Sequence, residues 1–277
     1  MNRLATHLTT WRAWYAILSV PAFLLGSLAV MGGAAFVPVS FVLFAFLALA
    51  FLALASRRWP SRADLGLKWG LSGRDIVVVL VVFVVTHAAF WLLGRLAGGS
   101  QGDQATQFFQ EMNLDGPLGA AVVATFSSVV LAPICEEILY RGAVVRPIHD
   151  AFARRGRAWL GAALGIGVSA LLFAMPHLAE DKIDIMSIAY VLTGVGFGLV
   201  YVLTGSMTAA MVSHSLQSMA AFGQVLIFGR GDTDVHPVIW ILVFGCPLWV
   251  YLGSQLLRVV LPRGASSSRV VSPGLNI

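Results

Sequence analysis

A chain of 277 residues with 58% hydrophobic and only 11% charged side chains lies outside the soluble globular range, where about a quarter of residues are charged. That excludes an ordinary soluble domain and points to an all-α, polytopic membrane protein. The net charge of +5 comes from Lys and Arg dispersed over short loops, so nucleic acid is not an expected partner, and two cysteines in apolar runs, Cys135 and Cys246, are too few for a metal cluster.

The first ten residues lack the pattern of a cleaved signal peptide, and the apolar run behind them is long enough to remain as a span. Runs able to cross about 30 Å of hydrocarbon lie near Trp14–Val37, Pro38–Ala55, Ile76–Gly94, Pro117–Glu137, Leu160–His177, Ile185–Thr204, Met207–Phe228 and Pro237–Leu261. The expected architecture is a bundle of about eight transmembrane helices forming one membrane domain over 1–277, with a disordered tail at 262–277. With the N-terminus inside, fifteen of the eighteen Lys and Arg fall on the inner side, leaving Arg95, Lys182 and Arg230 outside. Both termini are therefore expected to be cytoplasmic. Gly161 with Gly165, and Gly194 with Gly198, have the GxxxG spacing that lets helix backbones approach closely in lipid.

The fourth run ends in Cys135-Glu136-Glu137-Ile138-Leu139-Tyr140-Arg141. Charges at membrane depth are costly unless paired or facing a wet cavity, which makes this cluster a candidate site. On a helix Arg141 lies about 40° around the axis from Glu137 and about 140° from Glu136. Glu137 is thus expected to take the ion pair, leaving Glu136 to face another partner. Two histidines are placed to join them: His177 closes the fifth run, four residues after Phe173, and His214 lies in the seventh, four residues before Ser218. His87 reads as a packing residue of the third run, and His7, His149 and His236 read as loop or interfacial residues.

A carboxylate and two imidazoles converging from three helices could support hydrolysis. The carboxylate would take a proton from water, one imidazole would orient that water or donate to the leaving amine, and the other would stabilise the oxyanion. Glu136, His177 and His214 could equally hold one zinc ion, since two histidines, a glutamate and water form a known catalytic set. The residues alone leave both open.

Glu136-Glu137-x-x-x-Arg141, Phe173-x-x-x-His177 and His214-x-x-x-Ser218, in that order on three apolar segments, resemble the CAAX prenyl protease and bacteriocin-processing family, the intramembrane endopeptidases of the Rce1 type. The resemblance covers about Pro117 to Phe228 and implies a catalytic core there. It further implies that Glu136 activates water with help from His177, that His214 and residue 218 form the oxyanion site, and that Glu137 and Arg141 support the architecture. Prenyl-processing members resemble His-x-x-x-Asn, whereas this chain carries Ser218, a donor of shorter reach. The implied partners are a membrane-associated protein or peptide substrate and the lipid bilayer of the cell membrane, with the site open to the cytoplasm. The family leaves metal dependence open.

Other protease signatures fail on context. Gly70-Leu-Ser-Gly73 spells a rhomboid motif but lies in a basic linker, where Ser72 is better placed to start the third helix. Gly229-Arg-Gly-Asp232 spells a presenilin motif without an intramembrane Asp as its partner, and HExxH is absent. Two readings from other classes stand beside the protease: a non-catalytic bacteriocin-immunity or scaffold protein, and a proton-coupled transporter. The fourth run points inward and the fifth outward, which separates Glu136 from His177. Their approach requires the fourth helix to continue past Arg141, with a kink or restart at Pro147, and Pro176 to bend the fifth. Arg146, Arg154 and Arg155 would then mark the cytoplasmic boundary.

Overall fold

The computed structural model describes residues 2–96, 117–177, 185–228 and 251. Among these there is no strand, and seven long helices carry the architecture: α1 Ala13–Gly32, α2 Val37–Ser56, α3 Gly73–Leu96, α4 Leu118–Ala153, α5 Ala158–His177, α6 Ile185–Thr204 and α7 Met207–Phe228. Five of them, α1, α2, α4, α5 and α6, are long and apolar enough to cross a membrane. The protein is an integral membrane helical bundle. The expected eighth span at Pro237–Leu261 and the tail at 262–277 lie outside the described residues, as do Cys246 and His236.

Local sequence sets the helix ends. Pro38 opens α2, where its missing N–H costs nothing, and Arg57 closes it in the left-handed conformation at φ 58°. Ser72 and Asp75 cap each other at the start of α3, through Ser72 N to Asp75 Oδ2 at 3.0 Å and Asp75 N to Ser72 Oγ at 3.2 Å. Within the spans, Thr86, Ser127, Thr193 and Thr204 return their hydroxyls to the carbonyl one turn back, which spares lipid an unpaired polar group.

Helix α4 continues past Arg141, as the approach of Glu136 to the histidines requires: it runs 36 residues to Ala153, well beyond the apolar run that ends at Glu137, passing through two π segments, Ser127–Leu131 and Ile138–Val145. Pro133 and Pro147 each stand second in the α-helical stretch that follows. A proline removes one donor from the i−4 ladder, and the wider π pairing just upstream lets the helix continue past it. Helix α5 ends in a 3₁₀ turn, Met175–His177, around Pro176.

Close packing follows the glycines. A Cβ at Gly161 would lie 2.8 Å from the His149 carbonyl, and one at Gly165 3.1 Å from that of Val145, so α5 rests directly on the end of α4. A Cβ at Gly194 would meet the Ala170 Cα at 2.8 Å, and one at Gly198 the Ile166 Cγ1 at 2.9 Å, which presses α6 onto α5. Helix α6 is the centre of the bundle: 61% of its apolar window is buried against 22% for α4. The outer faces show Leu24, Phe46, Leu54, Val85, Val122 and Leu171, a surface suited to lipid.

One end of the bundle is tied together by polar contacts. Tyr15 donates to the Ala55 carbonyl at 3.0 Å, Lys68 Nζ to that of Thr204 at 3.0 Å, and Met207 N to that of Gly66 at 2.9 Å. Beside Ser61 and Arg58, Asp64 forms part of the same end; burial alone would raise its carboxyl, but the Arg58 guanidinium at 2.6 Å and the Ser61 donors hold it well below the usual carboxylate range. Two expectations are corrected here. His149 is fully buried, its Nδ1 2.7 Å from Asp150 Oδ1 and its Nε2 2.9 Å from Asn2 Nδ2. Arg146 is buried too, its Nε 2.8 Å from Asp150 Oδ2, so it is an internal strut and not a boundary charge. Asp150 also accepts from the amide and hydroxyl of Thr9, each at 2.7 Å, while Arg154 Nη2 reaches the Trp11 carbonyl at 2.6 Å. The continuation of α4 past Arg141 supplies Arg146, His149 and Asp150, with Arg154 just beyond its end, and the N-terminal segment closes over them.

Two outcomes follow. Asp150→Ala strands Arg146 as a buried unpaired cation and should cost about 3–5 kcal/mol, read as a lower thermal midpoint in detergent. Gly194→Val has to displace the Ala170 backbone and should cost about 1–3 kcal/mol by the same measurement, whereas valine at Gly119, where nothing lies within 4 Å of a Cβ, should leave the midpoint unchanged.

Candidate active site

The site is built where α4, α5, α6 and α7 meet. Glu137 and Arg141, one turn apart across the start of the second π segment, are both fully buried, and Arg141 Nη1 lies 3.0 Å from Glu137 Oε1. The angle of this approach falls short of a hydrogen bond, as does every approach to Arg141 Nε. What holds the guanidinium instead is Nη2, which donates to the Gly194 carbonyl of α6 at 2.8 Å, together with the rings of Phe197, Phe173 and Tyr140 at 5.4, 5.6 and 5.9 Å.

Glu137 Oε1 has a second partner, His214 Nδ1 at 3.0 Å. A carboxylate paired with Arg can only accept, so Nδ1 carries the proton and donates it. The other ring nitrogen, Nε2, then faces Glu136, 3.8 Å from Oε2. Glu136 is the acid left without Arg141, and its side chain is 14% exposed while that of Glu137 is fully enclosed. One acid is locked and the other is accessible.

His177 stands on the 3₁₀ turn at the end of α5 and is exposed. Its Nδ1 lies 2.9 Å from the Phe173 carbonyl, which can only accept, so Nε2 carries the free lone pair. The ring stacks on Tyr190 with centroids 4.7 Å apart. Among the described residues no hydrogen bond or ion pair joins His177 to Glu136; the connection runs through Phe173, whose ring lies 5.0 Å from His177 and 5.5 Å from His214. His87, on α3, shows the same bond to the carbonyl one turn back, at 3.2 Å from Phe83. That bond orients a histidine and does not by itself mark a catalyst. Ser218 is half-buried one turn beyond His214, and its hydroxyl has no partner among the described residues.

No three His, Cys, Asp or Glu among the described residues gather into a group that could hold a metal ion. The zinc set of Glu136, His177 and His214 does not close around one point, and no step below runs through a metal.

Residues 118–220 match the family model of the type II CAAX prenyl endopeptidase Rce1-like proteins. This segment is Rce1-like. It spans from the first residue of α4 into α7 and contains Glu136, Glu137, Arg141, His177, His214 and Ser218. No curated protein and no solved structure matches the chain. The likeness of this segment to the Rce1-like model supports CAAX-type intramembrane peptidase chemistry in general, and the helical bundle provides the membrane setting for it.

Three features of the Rce1-like segment were not read from the sequence: the Gly194 carbonyl, Tyr190 and Phe197, all on α6. The two GxxxG glycines were a usable signal, because the one large residue between closely packed glycines has to press against a neighbouring element. Arg141→Met should cost about 3–5 kcal/mol by leaving the buried Glu137 carboxylate without its guanidinium partner. Adding Glu137→Gln should restore part of that loss, and thermal unfolding of the single and double variants in detergent measures both.

Proposed function

We propose that the protein is an intramembrane endopeptidase that hydrolyses a peptide bond in a membrane-associated protein or peptide, with Glu136 as the residue that activates water. The observation that carries this is the division of labour between adjacent acids: Glu137 is consumed by Arg141 and His214, while Glu136 remains accessible beside an imidazole nitrogen. A carboxylate in that position takes a proton from water as the hydroxyl attacks the scissile carbonyl. The free lone pair of His177 Nε2 suits it to assist that transfer, by orienting the water or relaying the proton to the leaving amine.

His214 acts on the oxyanion. With Nδ1–H donated to Glu137, its imidazolium form presents a second donor, Nε2–H, toward the reacting carbonyl oxygen. Ser218, one turn away and without a partner among the described residues, is the second donor, and its short side chain suits it to a carbonyl lying close to α7. Glu137 and Arg141 position His214 and do not touch the substrate.

The basic loops favour an orientation with the N-terminus in the cytoplasm and a site reached from that side of the cell membrane. A scaffold or immunity role would need no accessible acid beside a free imidazole nitrogen, and a proton relay would need titratable groups on both sides of this cluster.

The test is mass-spectrometric mapping of new protein termini in host cells, comparing wild type with Glu136→Gln at matched expression. Termini that disappear in the variant identify the substrates, and turnover of a peptide built on one of them should fall at least about a hundredfold. An unchanged set of termini would remove the proteolytic reading.

A further inference from the structure

The three recognised motifs place their residues on α4, α5 and α7, and α6 contributes none of them. Yet α6 is the most buried span, and Gly194 and Gly198 press it onto α5 so closely that a Cβ at either would lie under 3.0 Å from a neighbour. Phe197 lies between those glycines, 2% exposed. Its ring is stacked on that of His214, with centroids 4.4 Å apart and planes 20° from parallel. Phe173 meets the same imidazole edge-on, at 5.5 Å and 77°, and meets Phe197 at 5.8 Å and 86°.

We propose that Phe197 is a positioning residue for His214, and that α6 is thereby a working part of the site. Glu137 holds one point of the imidazole, at Nδ1. A single hydrogen bond leaves the ring free to rotate about that contact, and such rotation would swing Nε2 away from Glu136. A flat aromatic surface beneath the ring removes that freedom, because parallel stacking permits sliding but not tilting. The Phe173 edge blocks sliding on one side. Ring plane, Nδ1 contact and edge contact together hold Nε2 beside Glu136. Gly194 and Gly198 matter as well, since they let α6 come close enough to α5 for Phe197 to meet the Phe173 edge.

This inference rests on the peptidase reading, and its test has one arm that does not. In full-length, detergent-solubilised protein, carbethoxylation of His214 by diethylpyrocarbonate is followed by peptide mass spectrometry. Phe197→Leu keeps an apolar side chain but removes the flat face, and should raise the His214 modification rate at least about fivefold. Phe44→Leu, a core substitution between α1 and α2 where Phe44 is 3% exposed, serves as the control for general loosening and should not raise it. An unchanged rate in Phe197→Leu, or an equal rise in Phe44→Leu, overturns the proposal.

The second arm uses a peptide built on a terminus lost in Glu136→Gln. Phe197→Leu should lower kcat about tenfold with KM within about twofold, and should add less than about twofold on a His214→Gln background, because both changes act through one imidazole. A full additional loss on that background overturns the proposal. Absence of any Glu136-dependent terminus removes the peptidase reading, while the carbethoxylation result still decides whether Phe197 positions His214.

Discussion

Everything in the site depends on one oxygen atom. Glu137 Oε1 takes the Arg141 guanidinium and His214 Nδ1, each at 3.0 Å, and it does so at a position without solvent. Burying a carboxylate and a guanidinium is costly, and their attraction offsets that cost only where neighbouring groups help. Here the help comes from the Gly194 carbonyl and three aromatic rings around Arg141. The pair is therefore better understood as a device for placing His214 than as a source of stability. Its partners reach it from α4, α6 and α7, so it also ties those helices in one arrangement.

A second constraint acts through the length of α4. A helix that stopped at Glu137 would leave the acids at the membrane edge. By running on to Ala153 it sets them inside the bundle and delivers Arg146, His149 and Asp150 to the end where the N-terminal segment closes. The two π segments make this possible, since each precedes a proline that would otherwise interrupt the helix. The same helix thus carries the cluster proposed for catalysis in its middle and a structural one at its end, built from similar residue types. What separates them is saturation: Asp150 has its oxygens filled by Thr9, Arg146 and His149, whereas among the described residues Glu136 has only an imidazole at 3.8 Å.

Much of this was legible in the chain. Apolar run lengths located the described helices, and the break between α6 and α7 falls where expected because Gly205, at φ 61°, and Ser206 interrupt the run. The helical angle between residues four apart assigned Arg141 to Glu137. Spacing on α5 and α7 brought out His177 and His214. By contrast, His149 and Arg146 were read as peripheral, because their partners Asn2, His7 and Asp150 are drawn from both ends of a stretch of almost 150 residues and no local pattern announces such a meeting.

The sequence by itself determined the membrane class, the helical architecture, the pairing within α4 and the residue types available for chemistry, since these depend on composition and on separations of one helical turn. Only the tertiary structure decided which ring nitrogen each histidine presents, and that α6 enters the site through Phe197 and the Gly194 carbonyl. Those outcomes depend on distances between helices, which are set by small residues packing against backbone, and a linear pattern specifies that two helices approach without specifying which side chain is caught between them.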